Sequence, residues 1–136
     1  MSEKSFKLEV VTPRKIAFSE SVQSFTAPGS LGSFQVLHDH AALLSSTTIG
    51  EVKLVDDSGK TFKFATSGGF VQVLSNTVTM LAETAERSDE IDTSRAEAAR
   101  DRALKRLAEK KAEIDIARAR LALARALNRL SVASRS

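Results

Sequence analysis

The 136-residue chain contains no cysteine, tryptophan or tyrosine and only two prolines. Without cysteine there is no disulfide framework, no thiolate nucleophile and no Cys-type zinc site, and the redox compartment is left open. No apolar run reaches the roughly 18 residues of a spanning helix, so no helical membrane segment is expected. Met1-Ser2-Glu3-Lys4-Ser5 has no apolar signal core and leads straight into a strand pattern, which makes a cytoplasmic chain the expectation. The scarcities are also unevenly placed: the last proline is Pro28, the last glycine Gly69 and the last aromatic Phe70. Two differently built segments are implied, 1–87 and 88–136.

The hydrophobic content of 42% suits one domain or a compact pair with a modest core. A net charge of +3 is too mild to argue for nucleic acid, but its distribution is informative. Residues 88–136 hold 12 Lys or Arg against 8 Asp or Glu, leaving 8 against 9 in residues 1–87. The positive excess belongs to the tail, where interspersed acids and the lack of aromatics for base stacking count against a nucleic-acid arm.

In the first segment Phe6, Leu8 and Val10 alternate with Lys7 and Glu9, the period of a half-buried strand. Thr12-Pro13-Arg14-Lys15 breaks the pattern. Ile16 to Phe18 and Val22 to Ala27 give two further extended runs, followed by the turn signal Pro28-Gly29 and a strand from Phe34 to Leu37. Ile49 to Val55 and Thr61 to Thr66 flank a Gly-containing loop, and Phe70 to Leu74 and Val78 to Ala82 flank Ser75-Asn76-Thr77. Both read as hairpins, and many short strands between turns indicate a sandwich or barrel.

From about Ser88 the period becomes helical. Asp92 suits an N-cap for a helix from about Thr93 to Ala108, whose apolar positions Ala96, Ala99, Ala103, Leu104 and Leu107 are mostly alanine. Lys110-Lys111-Ala112-Glu113 holds no Gly or Pro and can bend or stay helical. A second helix from about Ile114 to Leu130 carries Ile116, Ala119, Leu123, Ala126 and Leu130 at heptad-like spacing. Arg95, Ala99, Arg102 and Arg106 advance by four, three and four residues, and Arg118, Ala122, Arg125 and Arg129 repeat that spacing. If the chain folds back near Ala112, two cationic stripes face each other. Such a hairpin is poorly compensated unless water, an acidic partner or a polyanion lies between them.

Two readings of the stripes stand open. They are solvated helix faces offset by i, i+4 pairs with Glu97, Asp101, Glu109, Glu113 and Asp115, or they grip an anion such as a nucleotide triphosphate through bidentate guanidinium contacts. Elsewhere the chemistry is thin. His38-Asp39-His40 has no third strong ligand and reads as a turn with a hydrogen-bonded histidine, not a metal site. Gly68-Gly69 opens a strand and lacks the Lys-Ser/Thr of a phosphate loop, so a bulge or close backbone approach is expected. No Ser–His–Asp arrangement has a spatial warrant, and no catalytic residue is expected.

Over nearly its full length the chain resembles the ε subunit of bacterial rotary ATP synthases. The resemblance lies in Val11-Thr12-Pro13, Ala27-Pro28-Gly29, Val36-Leu37 with His40 and Leu43-Leu44, and Ser67-Gly68-Gly69-Phe70-Val71. Ala85-Glu86-Arg87 leading to Ile91-Asp92-Thr93-Ser94-Arg95-Ala96 is similar to the family's ATP-binding signature, Ile/Leu-Asp-x-x-Arg-Ala. Arg125-Ala126-Leu127-Asn128-Arg129-Leu130-Ser131-Val132-Ala133 looks like the closing segment of ATP-binding bacillus-type members. The chain departs from the pattern at His38-Asp39-His40, where Pro-Gly-His is usual, and at Gln35, where Gly is common.

The resemblance implies an α+β chain: a ten-stranded β-sandwich over 1–87, followed over 88–136 by an antiparallel two-helix hairpin. It implies a non-catalytic regulatory and coupling subunit of the central stalk, peripheral at the cytoplasmic face of the bacterial cell membrane. Its partners would be the γ subunit, the c-ring and the β and α subunits of the catalytic head. ATP would be a regulatory ligand, with Mg²⁺ participation left open. Ile91, Asp92, Arg95, Ala96, Arg102, Arg125 and Arg129 would contact ATP, with Glu86 in addition, and Arg106 and Arg118 would modulate. The alternative is a stalk subunit whose arginines bind only protein.

Overall fold

The computed structural model describes residues 4–109 and 112–134. The chain divides into two compact units, Met1–Arg87 and Ser88–Ser136. The described residues of the first unit form nine strands: β1 (Phe6–Val11), β2 (Ile16–Gly29), β3 (Gly32–Val36), β4 (Leu43–Thr47), β5 (Gly50–Asp56), β6 (Thr61–Thr66), β7 (Gly69–Leu74), β8 (Thr77–Ala82) and β9 (Ala85–Arg87). They follow the order β1-β8-β7-β4-β2-β5-β6-β9, with β3 paired along β2 and β1 pairing with both β8 and β2. The long strand β2 serves both layers. Its first half lies antiparallel to β1 and its second half to β3 and β5, and the register slips between Val22 and Ser24 where it changes partners.

The described residues thus hold nine strands where ten are expected. Ser19-Glu20-Ser21, which separates two apolar runs in the sequence, continues β2, because these residues pair with Glu9, Leu8 and Lys7 of β1. Pro28 and Gly29 also differ from expectation. They end β2 rather than making the turn, since Gly29 pairs with Gly32 and only Ser30 and Leu31 lie outside the ladder. Gly32 takes the positive φ of 132° that closes this tight connection.

The period-2 pattern sorts side chains as the sequence suggests. Phe6, Leu8 and Val10, Val22, Phe25 and Ala27, Val52 and Leu54, Phe64, Val71 and Val73, and Val78 and Met80 are all buried in one cluster. Each large side chain removed from water contributes about 1.5–3 kcal/mol, so this cluster holds the unit together. The turns are chemically specified. Asp56 Oδ1 accepts from the Ser58 and Lys60 N–H groups at 2.9 Å each and from the Ser58 hydroxyl at 2.7 Å. Ser75 and Asn76 both have positive φ, the geometry of a two-residue hairpin turn. The Asn76 side chain accepts from the Asp39 N–H at 2.8 Å and donates to the Ser5 carbonyl at 3.0 Å. Gly69 is a close backbone approach, as expected: a Cβ there would collide with the Leu81 carbonyl oxygen.

The second unit comprises a 3-10 turn (Ser88–Glu90), α1 (Thr93–Ala108) and α2 (Glu113–Ser134). Helix α1 has the predicted bounds, whereas α2 runs four residues past Leu130. Ser134 there donates to the Ser131 carbonyl at 2.9 Å. Lys110 and Lys111 lie outside the described residues. Helix α2 starts on the Ala112 carbonyl, which accepts from Asp115 and Ile116 at 2.9 and 3.1 Å. The two helices pack on each other, and α2 returns to the 3-10 turn, which makes the pair an antiparallel hairpin. Its most buried residues are small: Ala96 and Ala103 on α1, and Ala119, Ala126 and Val132 on α2. Each alanine pair is spaced by seven residues, so one methyl per two turns forms the seam.

Candidate functional site

Helix α1 begins with its capping bond in place. Asp92 has extended backbone, its Oδ1 accepts the Arg95 N–H at 3.1 Å, and its carbonyl accepts the Ala96 N–H at 3.1 Å. The cap fixes where the first turn starts and hence where the arginine ladder points. Ile91 and Ala96 are buried beside it. Arg95, Arg102 and Arg106 of α1 and Arg118 and Arg125 of α2 are exposed, and Arg129 is half-buried.

Helix-face salt bridges offset little of this charge. Arg100 pairs with Asp101 at 3.1 Å, a contact between sequence neighbours. Among the described residues, Arg95, Arg102, Lys105, Arg106, Arg118 and Arg125 make no ion pair. The expected i, i+4 offset by Glu97, Asp101 and Asp115 is therefore missing from these arginines. Guanidinium groups held without carboxylates keep their bidentate donors for an external anion.

Part of the stripe pattern converges on one concavity. Arg102, Lys105, Arg106 and Glu109 of the α1 side and Asp115, Arg118 and Ala119 of α2 line a groove of about 400 Å³ at the hinge end of the hairpin. The facing of the two stripes expected from a chain that folds back near Ala112 is realised at this end, where Arg106 and Arg118 line one groove with Arg102. Arg95, Arg125 and Arg129 do not line this groove. Glu86 lies on β9 in the first unit, opposite Ala65 of β6. Lys105 is the residue that sequence reasoning missed, although its position three after Arg102 places it on the same face.

Two other motifs resolve differently. His38, Asp39 and His40 form a turn: Asp39 has φ 57°, His38 Nε2 stands 3.8 Å from its carboxylate, and His40 Nδ1 is 2.7 Å from the Ala41 carbonyl. Among the described residues no three metal-ligating side chains converge. The first unit also carries an apolar groove of about 390 Å³ lined by Val11, Pro13, Gly69, Phe70 and Leu81 among others. Phe70 and Leu81 are cross-strand partners and both stay largely exposed, while Leu31 at the β2–β3 turn is fully exposed.

Residues 5–88 match the beta-sandwich domain of the ATP synthase delta/epsilon chain, and residues 89–134 match the long alpha-helix domain of the same chain. The chain belongs to the ATP synthase delta/epsilon family. It is 51% identical over 107 residues to the ATP synthase epsilon chain of Pelotomaculum thermopropionicum, covering 79% of each chain. To that of Desulforamulus reducens it is 45% identical over 104 residues, covering 76% of this chain and 78% of the relative. A chain in the cryo-EM structure of the Euglena gracilis mitochondrial ATP synthase (OSCP, F1 and c-ring) shares the fold. There the TM-score is 0.78 at 21% identity, covering 88% of this delta/epsilon chain and 76% of the other. A β-sandwich domain followed by a long-helix domain is thus the family order as well as the observed one.

Proposed function

We propose that this chain is a non-catalytic regulatory and coupling subunit of an ATP synthase central stalk, in which the sandwich anchors and the helical hairpin regulates. Extended, the hairpin inhibits ATP hydrolysis by reaching the catalytic head. Folded, it permits hydrolysis, and ATP favours the folded form. Anchoring would be to the γ subunit and the c-ring, placing the chain peripherally on the cytoplasmic face of the cell membrane. The fully exposed Leu31 and the exposed Phe70–Leu81 pair support a sandwich that is covered in a larger assembly.

The observation that carries the regulatory part is that Arg95, Arg102, Arg106, Arg118 and Arg125 make no ion pair among the described residues, on both helices of a hairpin sealed by alanines. In this reading Arg95, Arg102, Arg125 and Arg129 hold the phosphates of ATP, Ile91, Asp92 and Ala96 form the start of α1 beside it, and Glu86 is a further candidate contact. Arg106 and Arg118 modulate from the hinge side. Bound ATP neutralises the stripes; without it their repulsion favours opening. A hundredfold difference in affinity between the two forms shifts their balance by about 2.7 kcal/mol, so they must lie within a few kcal/mol of each other.

The test is a calorimetric ATP titration of the isolated chain, repeated while an inter-helix distance is followed by paired spin labels. The expected result is saturable heat and a shortened distance, with Arg125→Ala and Arg129→Ala weakening both. Neither heat nor a distance change at about 1 mM ATP would leave the arginines as contacts for protein partners alone.

A further inference from the structure

We propose that the groove at the hinge end of the hairpin is a separate binding site for a compact oligophosphate such as pyrophosphate, one that carries no base. Four cationic side chains, Arg102, Lys105, Arg106 and Arg118, line it against two carboxylates, Glu109 and Asp115. The four cations make no ion pair among the described residues, so the two acids do not consume their donors. The helix ends temper the site only weakly. The carbonyls ending α1 attract Lys105 and Arg106, an interaction that is modest at an exposed surface.

Groove shape and lining narrow the ligand class. The α1 cations Arg102, Lys105 and Arg106 run along about 6 Å, a little over one helical turn, and Arg118 joins them from α2. Linked phosphates reach several of them together, whereas a single phosphate engages only a subset. Among the described residues the one apolar liner is Ala119, and none of them offers an aromatic or large aliphatic platform for a nucleobase. Tetrahedral phosphates supply several acceptor oxygens each, which matches three planar guanidinium forks and an ammonium better than a carboxylate does. Since the walls come from both α1 and α2, the ligand bridges the helices at the hinge. The site shares only Arg102 with the residues proposed to contact ATP, so it stands or falls on its own.

Pyrophosphate titrated calorimetrically into the full chain should give saturable one-to-one binding with a Kd of about 1 mM or tighter. Losing one charge-assisted contact weakens binding about tenfold or more, so Arg106→Gln and Arg118→Gln should each do so. Arg125→Gln should stay within about twofold, because Arg125 does not line the groove. Sodium chloride at matched ionic strength should give no saturable heat. The proposal is overturned if pyrophosphate gives none either, if Arg125→Gln weakens it as much as Arg118→Gln, or if excess ATP displaces it one for one. A chain that binds pyrophosphate but not ATP would sink the nucleotide reading and leave this one standing.

Discussion

The Asp92 carboxylate accepts the Arg95 N–H at 3.1 Å, a bond that a capping role requires and a role in gripping ATP does not. Serine caps a helix about as well as aspartate but carries no charge, so the two roles separate experimentally. Asp92→Ala should destabilise the helical unit by about 0.5–2 kcal/mol and weaken ATP binding with it. Asp92→Ser should restore both, read by helical circular dichroism and calorimetry. Restored helicity with ATP binding still lost would place the carboxylate on the ligand itself. A second carboxylate has a pH signature. The Ser58 hydroxyl, then the Lys60 and Ser58 N–H groups, hold the Asp56 carboxyl below its ordinary 3.8. A depressed folded value means that its contribution to the β5–β6 hairpin is complete above the ordinary value and is lost as the pH falls through the lower one. An NMR titration should show the Asp56 midpoint below that of a free aspartate, and Ser58→Ala should move it back up.

At the scale of elements, the hairpin depends on a seam of methyl groups. Ala119→Leu inserts a branched side chain where α1 comes close, at a cost of about 1–3 kcal/mol. The expected outcome is a longer inter-helix distance and loss of cooperative helix melting with the sandwich unaffected. Unchanged helix separation would mean that the alanine seam does not set the spacing. Much of this architecture is written locally. The Asp92 cap and the alanine ladder give the bounds of α1 directly, and Asp56-to-Lys60 and Ser75-Asn76 announce their hairpins. What escaped is set by distant partners. Ser19-Glu20-Ser21 look like a break until β1 supplies their hydrogen bonds, and Pro28-Gly29 look like a turn until the β2–β3 register moves it two residues on. The missing i, i+4 ion pairs are also illegible, because spacing permits such a pair while side-chain entropy and solvation decide whether it forms. For the candidate site, the facing of Arg106 and Arg118 follows from antiparallel register, but the gathering of Lys105, Glu109 and Asp115 into the same groove requires the helix packing itself.

Across the whole molecule the two units differ in how they are stabilised. The sandwich buries Phe6, Phe25, Phe64, Leu8, Leu54 and Met80 completely, whereas among the described residues of the helical unit no side chain of that size is fully buried. Under the nucleotide reading, ATP at about a hundred times its Kd should raise the apparent stability of the helical unit by about 2.7 kcal/mol. Hydrogen exchange should register that gain on α1 and α2 and leave β1 to β8 unchanged. Equal protection of the sandwich strands would move the ligand off the hairpin. The alanine seam has a further consequence, for time rather than energy. Alanine has no side-chain rotamers to fix, so docking Ala96 and Ala103 on Ala119 and Ala126 requires no repacking search and separating them frees none. The hairpin can therefore open and reclose without the rearrangements that slow a leucine interface, and its pace is left to the collective helix motion of microseconds to milliseconds.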